Sequence, residues 1–447
     1  MTARYLIIGS GVAGLAAAEA IRQADRSAAI TLVSDDPHGY YSRPGLAYLL
    51  TGEIPQAQLF PLRETDWRAL GLQRVTAQVT RLEPAAHRAV LADGRALSYD
   101  QLLLATGSTA ARLTVPGSDL PQVVTLDSLT DAQRILDLAR RARAAVVVGG
   151  GITALELVEG LRVHCRRVHY LLRGDRYWSN VLDAAESRLV LERLAAEGVQ
   201  VHLRSEIAEI TAHRGRVAGV TTTAGEHIPC DLVAVAIGVQ PRVGLARAAG
   251  LQVERGILVD ETLRTGAADI YAAGDAAQVY DPRTGKATLD TLWNIARGQG
   301  AVAGRNMAGA NERYVKPLPL NVTRLAGITT TIIGRVGHGL DADVVGIARG
   351  DSETWRQLGE ALVAEDASEV NRLRLLVGPR TLIGAIVMGD QRLSRPLQRL
   401  IGEETDIMPI REQLLAPHAP LAALLAEFAE SLNRQNAELK TGVSDPL

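Results

Sequence analysis

The chain has 447 residues, 47% hydrophobic and 22% charged, a composition that excludes a disordered or fibrous protein. Its 48 basic and 50 acidic residues leave no electrostatic footprint for nucleic acid. The two cysteines, Cys165 and Cys230, exclude a disulfide scaffold, a four-cysteine zinc site and a self-ligated iron–sulfur cluster. Tyr5 to Ile8 is an apolar run suited to a buried parallel strand. It leads into Gly9-Ser10-Gly11-Val12-Ala13-Gly14, and an alanine-rich helical pattern follows to about Gln23. Gly9 serves a tight turn, Gly11 lets the backbone approach a pyrophosphate, and Gly14 lets helix and strand pack closely. The helix N-terminus offers N–H groups and a positive dipole end to phosphate. A second strand, Ile30 to Val33, ends at Asp35-Asp36, where a ribose hydroxyl partner is expected. Val79 to Tyr99 reads as a meander of short alternating strands.

The same signature recurs 140 residues on, from Gly9 to Gly149. Ala145 to Val148 leads into Gly149-Gly150-Gly151-Ile152-Thr153-Ala154, a helix runs to about Val163, and Arg167 to Leu172 reads as the next strand. Two such units imply two dinucleotide sites. No acid directly follows Leu172; Arg173 does, with Arg176 beyond, and a guanidinium there suits a 2′-phosphate. That leans the nucleotide toward NADP(H), with NAD(H) left open. Residues 206–235 read as a second meander. From about Lys316 the pattern changes to short strands, Ile328 to Ile333, Leu373 to Val377 and Leu382 to Met388. Leu421, Leu424, Leu425, Phe428 and Leu432 then share one helical face, expected to dock on its own domain, with a partner-docking role as the alternative.

Four further segments extend the pattern: Leu102 to Ser108 with Ala105-Thr106-Gly107, Ala236 to Pro241 with Gly238, Ile270 to Asp275 ending Gly274-Asp275, and the helical stretch from Trp293 to Gly309. With the two glycine turns, they make the chain resemble the FAD- and NAD(P)-dependent pyridine nucleotide oxidoreductase family. The resemblance covers about residues 1–410. It implies an α/β fold with two Rossmann-like domains, one inserted in the other, plus a C-terminal α+β domain. The expected boundaries are 1–112 and 237–315 for FAD, 113–236 for NAD(P), 316–412 for the C-terminal domain and 413–447 for the amphipathic helical tail. The resemblance also implies FAD contacts from Arg43, Pro44, Val79, Arg112, Asp275 and Trp293, and places Glu156 near the nicotinamide.

The subgroup follows from what is missing. No cysteine precedes Cys165, so the CxxxxC pair of the disulfide reductases is absent. Pro44, in Tyr41-Ser42-Arg43-Pro44-Gly45-Leu46, stands where a second subgroup has its single redox cysteine. That stretch resembles reductases of single-electron carriers, including rubredoxin reductases, ferredoxin reductases and the flavin portion of the nitrite reductase large subunit. Tyr48, where ferredoxin reductases usually have lysine, favours the rubredoxin- or nitrite-reductase-like branch. The tyrosines Tyr40, Tyr41 and Tyr48 are either packing or the flavin's solvent-facing edge. The implied activity passes a hydride from NAD(P)H to flavin, then single electrons to a separate carrier such as rubredoxin, ferredoxin or another iron–sulfur or haem protein. The alternatives are an NAD(P)H oxidase and a non-catalytic regulatory flavoprotein. No metal site is expected, Cys165 and Cys230 read as core residues, and the protein is expected in the cytoplasm as a monomer or homodimer, without a membrane span.

Overall fold

A computed structural model describes residues 2–281, 285–336, 362–366 and 371–441, with side chains throughout except in 362–366 and 435–441. Parts of the expected C-terminal domain and tail, 337–361, 367–370 and 442–447, lie outside the described residues. The chain divides into two compact units, one of residues 2–175 and 195–316, the other of 176–194 and the described residues from 317 onward.

The first unit holds two parallel five-stranded sheets. One runs in the order Ile270–Ala272, Gln101–Leu104, Arg4–Ile8, Ala29–Ser34, Gln73–Thr76. The other runs Gln200–Leu203, Arg167–Leu172, Ala144–Val148, Leu232–Val235, Val123–Thr125. Central strands of such sheets are covered on both faces and read as continuous apolar runs. Accordingly every residue of Ala144–Val148 and of Leu232–Val235 is buried. Two antiparallel meanders, Val79–Ser98 and Ile207–Pro229, lie where the alternating patterns predict them. Ser108–Ala110 pairs antiparallel with Val239–Pro241, so the two crossover segments run side by side.

Alanines decide how the first helix packs. In Val12–Ala24, Ala13, Ala16, Ala17, Ala18 and Ala20 are buried, which leaves a low surface for a second helix. Trp293–Met307 crosses it there. A methyl group on Gly300 would come 2.1 Å from the Ala13 carbonyl oxygen, and one on Gly304 2.5 Å from that of Ala17.

The second unit is built on an antiparallel sheet in the order Leu320–Leu325, Ile328–Gly334, Leu382–Met388, Arg372–Val377, Leu362–Asp366. Leu421, Leu425 and Phe428 of the last helix are buried in its core, so that face docks on its own unit. Segment 176–194, read from the sequence as part of the NAD(P) domain, clusters here for an electrostatic reason. Arg374 and Glu186, both fully buried, pair at 2.8 Å, and Arg372 meets Asp183 at 2.7 Å. The Arg374 guanidinium also donates to the carbonyls of Val181 and Val336.

Candidate functional site

A cleft of about 490 Å³ opens at the C-terminal ends of the strands of the first sheet. Of the residues read from the sequence, Gly9, Gly11, Val12, Ala13, Asp35, Asp36, Arg43, Val79, Ala105, Thr106, Gly107, Gly274 and Asp275 line it. The glycine turn forms its floor. Gly9 has φ +116°, and a methyl group there would sit 2.0 Å from the Ala105 carbonyl oxygen. Gly11 faces open space, which leaves room for a ligand at the main chain. Gly14 lies beneath, where a methyl group would strike the Gly9 carbonyl oxygen at 2.0 Å.

The helix starting at Val12 has no side-chain cap and no acid in its first turn. Ile152–His164, after the second glycine turn, likewise lacks both. Leu129–Ala139, in the same unit, is closed by Ser128 and Asp131 in a capping box. Free helix N-termini present unsatisfied N–H donors, the arrangement that binds phosphate. The residues thus fit a dinucleotide in both turns.

The two aspartates at the strand end differ in their surroundings. Asp36 accepts from the His38 backbone at 3.0 Å and the Tyr41 hydroxyl at 3.1 Å, and lies 3.6 Å from Arg43. Asp35 is exposed at the cleft edge and makes no hydrogen bond or ion pair among the described residues. Asp275 accepts from the Ser108 hydroxyl at 2.6 Å. The amide of Gly274, which precedes it, donates to the fully buried Gln299 at 2.8 Å.

Several expected residues lie elsewhere. Pro44 is exposed in the short helical turn Arg43–Gly45 and does not line the cleft. Trp293 is 39% exposed, with the Arg297 guanidinium 5.8 Å from its ring centre. Arg112 borders a separate small pocket with Arg134 and Val235. The guanidinium groups that do line the cleft are Arg43 and Arg242, joined by Ser108, Asp127 and Ser128; of these, Arg242, Asp127 and Ser128 were not read from the sequence. The tyrosines do not act as one face: Tyr40 and Tyr41 are buried and Tyr48 is exposed.

The second turn repeats the first. Gly149 has φ +142°, and a methyl group there would approach the Ala236 carbonyl oxygen to 2.1 Å, as at Gly9 and Ala105. Ala154, in the third glycine position, is fully buried. Gly151 caps the helix that carries Ile152, Thr153 and half-buried Glu156. Gly238, φ +126°, follows the neighbouring strand. Arg173 is exposed just past the strand Arg167–Leu172, whereas Arg176 belongs to the second unit and donates to the Ser179 carbonyl at 3.4 Å. Helix Leu46–Leu50 packs on Ile152–His164 where Gly160 leaves space for Leu50.

Both cysteines are free and buried, and neither lines the cleft. Burial pushes the Cys165 thiol up to about 11 and that of Cys230 to about 12, which disfavours the reactive thiolate. Among the described residues no cluster of three or more His, Cys, Asp or Glu could hold a metal ion.

The family model for pyridine nucleotide-disulphide oxidoreductases matches residues 3–300. The ferredoxin–NAD(+) reductase component of the biphenyl dioxygenase system of Paraburkholderia xenovorans is 32% identical over 406 residues, 86% of this chain and 95% of its own. The rubredoxin–NAD(+) reductase of Pseudomonas putida is 33% identical over 338 residues, 74% of this chain and 86% of its own. Among solved structures, a ferredoxin reductase from Rhodopseudomonas palustris aligns with a TM-score of 0.82 at 26% identity, covering 96% of this chain and all of that one. Identity to the ferredoxin and rubredoxin reductases is nearly equal, 32% and 33%. Both sequence relatives are named for NAD(+), against the lean toward NADP(H) drawn from Arg173.

Proposed function

Since the chain belongs to the pyridine nucleotide-disulphide oxidoreductase family, we propose that it is an FAD-dependent NAD(P)H oxidoreductase delivering electrons singly to a separate iron–sulfur carrier protein. The observation that carries this reading is the pair of uncapped glycine-turn helices in one unit, with no thiol in or beside the first cleft. FAD, when bound, supplies hydride acceptance and one-electron release, chemistry that no side chain here provides.

The chain's own residues bind, orient and exclude water. The amides at Gly11 to Ala13 hold the FAD pyrophosphate, and exposed Asp35 accepts from the adenosine ribose hydroxyls. Asp275, fixed by Ser108, takes the ribityl end, and Val79 with Ala105 to Gly107 walls the cleft. Arg43 and Arg242 take the place expected of Arg112. Pro44 and Trp293 stay assigned to the flavin end, and Glu156 to the nicotinamide, by family resemblance alone. The turn from Gly149 through Thr153, with Gly238, holds the reducing nucleotide. We take that nucleotide to be NADH, as in the relatives' names, with Arg173 allowing NADPH as a weaker substrate. The two sheets correspond to an FAD domain over 1–112 and 237–315 and an NAD(P) domain over 113–236, apart from segment 176–194, which clusters with the second unit. No helix among the described residues is long and apolar enough to cross a membrane, and we place the protein in the cytoplasm.

The test is reoxidation of the NADH-reduced, FAD-loaded protein by oxidised two-iron ferredoxin, by rubredoxin and by dioxygen in separate runs. One of the iron–sulfur proteins is expected to reoxidise it at least about 100-fold faster than dioxygen, a gap of roughly 2.7 kcal/mol in barrier. Fast reoxidation by dioxygen alone would make the protein an oxidase instead.

A further inference from the structure

The charges around the first cleft pose an electrostatic problem. Its lining carries four carboxylates, Asp35, Asp36, Asp127 and Asp275, and only two cationic side chains, Arg43 and Arg242. A pyrophosphate entering such a lining meets net negative charge, so the placement of those two guanidinium groups decides how tightly it is held.

Asp127 touches both arginines. Its side chain is 11% exposed, and one carboxylate oxygen accepts from Arg242 Nη2 at 3.2 Å. Its carbonyl oxygen accepts from Arg43 Nη1 at 2.5 Å. Arg242 is pinned at its other end, donating its amide to Gly107 O at 2.8 Å and accepting the Thr106 hydroxyl at 2.7 Å. Arg242 therefore bridges from the strand end that abuts the glycine turn to the Asp127 loop.

That loop is fastened independently. The Asp127 and Ser128 amides donate to Asp131 Oδ2 at 3.1 and 2.9 Å, and the Leu129 amide donates to the Tyr41 hydroxyl at 2.9 Å. His38 Nε2 and the Thr130 hydroxyl share a hydrogen bond of 3.1 Å. With the loop's backbone so fastened, the Asp127 carbonyl oxygen fixes where Arg43 points and its carboxylate where Arg242 points.

Resting on the FAD reading of this cleft, we propose that Asp127 is a positioning residue for the cofactor. It holds Arg43 and Arg242 as a strap along the cleft, and that strap retains the bound dinucleotide. Arg242 acts on the pyrophosphate; the Asp127 side chain acts through Arg242, while Arg43 is held by the Asp127 main-chain carbonyl.

The experiment follows FAD loss from the loaded protein by the rise of flavin fluorescence on dilution. It compares wild type with Asp127→Ala, Asp127→Asn, Arg242→Ala, Arg242→Lys and the double alanine variant. Asp127→Ala and Arg242→Ala are each expected to speed loss roughly tenfold, as for one charge-assisted hydrogen bond. The double variant should be no faster than the faster single one, because both residues belong to one strap. Arg242→Lys should recover part of the slow release, and the melting temperature of FAD-stripped protein should stay at the wild-type value in Asp127→Asn and Arg242→Lys. Slower release in either Asp127 variant would overturn the proposal, since the carboxylate would then only repel the phosphates. Multiplying effects in the double variant would overturn it as well. If wild-type protein held no FAD at all, the cofactor reading would fall first, a result distinct from either.

Discussion

Asp35 and Asp36 are neighbours in sequence with different surroundings. Asp36 is consumed by the His38 amide, the Tyr41 hydroxyl and the nearby Arg43; Asp35 faces solvent at the cleft edge. Asp35→Ala should therefore weaken FAD binding by about 10- to 100-fold with little change in the melting temperature of the stripped protein. Asp36→Ala should lower that melting temperature instead. Titrating FAD into stripped protein, alongside thermal unfolding, separates the two. Arg173 gives a second contrast: Arg173→Ala should cut kcat/KM for NADPH by roughly tenfold and leave NADH within about twofold. Equal losses with both nucleotides would remove Arg173 from nucleotide choice. A third residue concerns pH. Burial holds the His169 imidazole below its ordinary pKa, aided by His202, 3.1 Å away, and Arg167, and opposed by Glu226. The unfolded chain then binds the proton more readily, so this stability is present above about pH 6.5 and is lost as pH falls through the lower folded value. His169→Gln should flatten that acid limb in a pH series of unfolding midpoints. Individual residues were legible where a motif fixes the backbone, as at Gly9, Gly149 and Gly274. Arg242 and Asp127 were not, because their meaning comes from a pairing 115 positions apart.

At the scale of elements, Trp293–Met307 crosses Val12–Ala24 in close contact. Gly300 sits on the Ala13 carbonyl, so even Gly300→Ala forces two helices apart at the floor of the cleft. We expect a loss of about 1–3 kcal/mol in unfolding free energy together with weaker FAD binding; unchanged values for both would show that the helices can slide. The second unit depends on a different interaction. Arg374 and Glu186 are both fully buried, and removing one leaves its partner with a longer ion pair of 3.9 Å, Arg374 to Asp183 or Glu186 to Arg372. Glu186→Ala should cost about 3–5 kcal/mol in denaturant unfolding, more than replacing both members by apolar side chains of similar volume. Element legibility followed burial. Ala144–Val148 is read at once because both faces are covered, whereas the exposed edge strand Gln73–Thr76 carries no apolar pattern to find. Leu320–Leu325, mostly half-buried, escaped for the same reason.

For the whole molecule, the repeated strand–glycine–helix unit is the decisive feature, and it was legible because both copies must bend sharply at a residue without a side chain. Gly9 against Ala105 and Gly149 against Ala236 show the same solution twice. Where the chain divides was less legible. Segment 176–194 joins the second unit through an ion pair whose members lie 188 residues apart, a distance over which local patterning carries no information. The central claim is that the two glycine turns serve one redox pathway, with nucleotide at the second turn reducing flavin held at the first. Anaerobic stopped-flow absorbance of the FAD-loaded protein, mixed with NADH or NADPH in separate runs, tests it most directly. The account predicts bleaching of the visible flavin band at a turnover-competent rate, on the order of 1–1000 per second, with NADH faster than NADPH. If neither nucleotide bleached the flavin at such a rate, the second turn would not feed the first, and the reductase function would be contradicted.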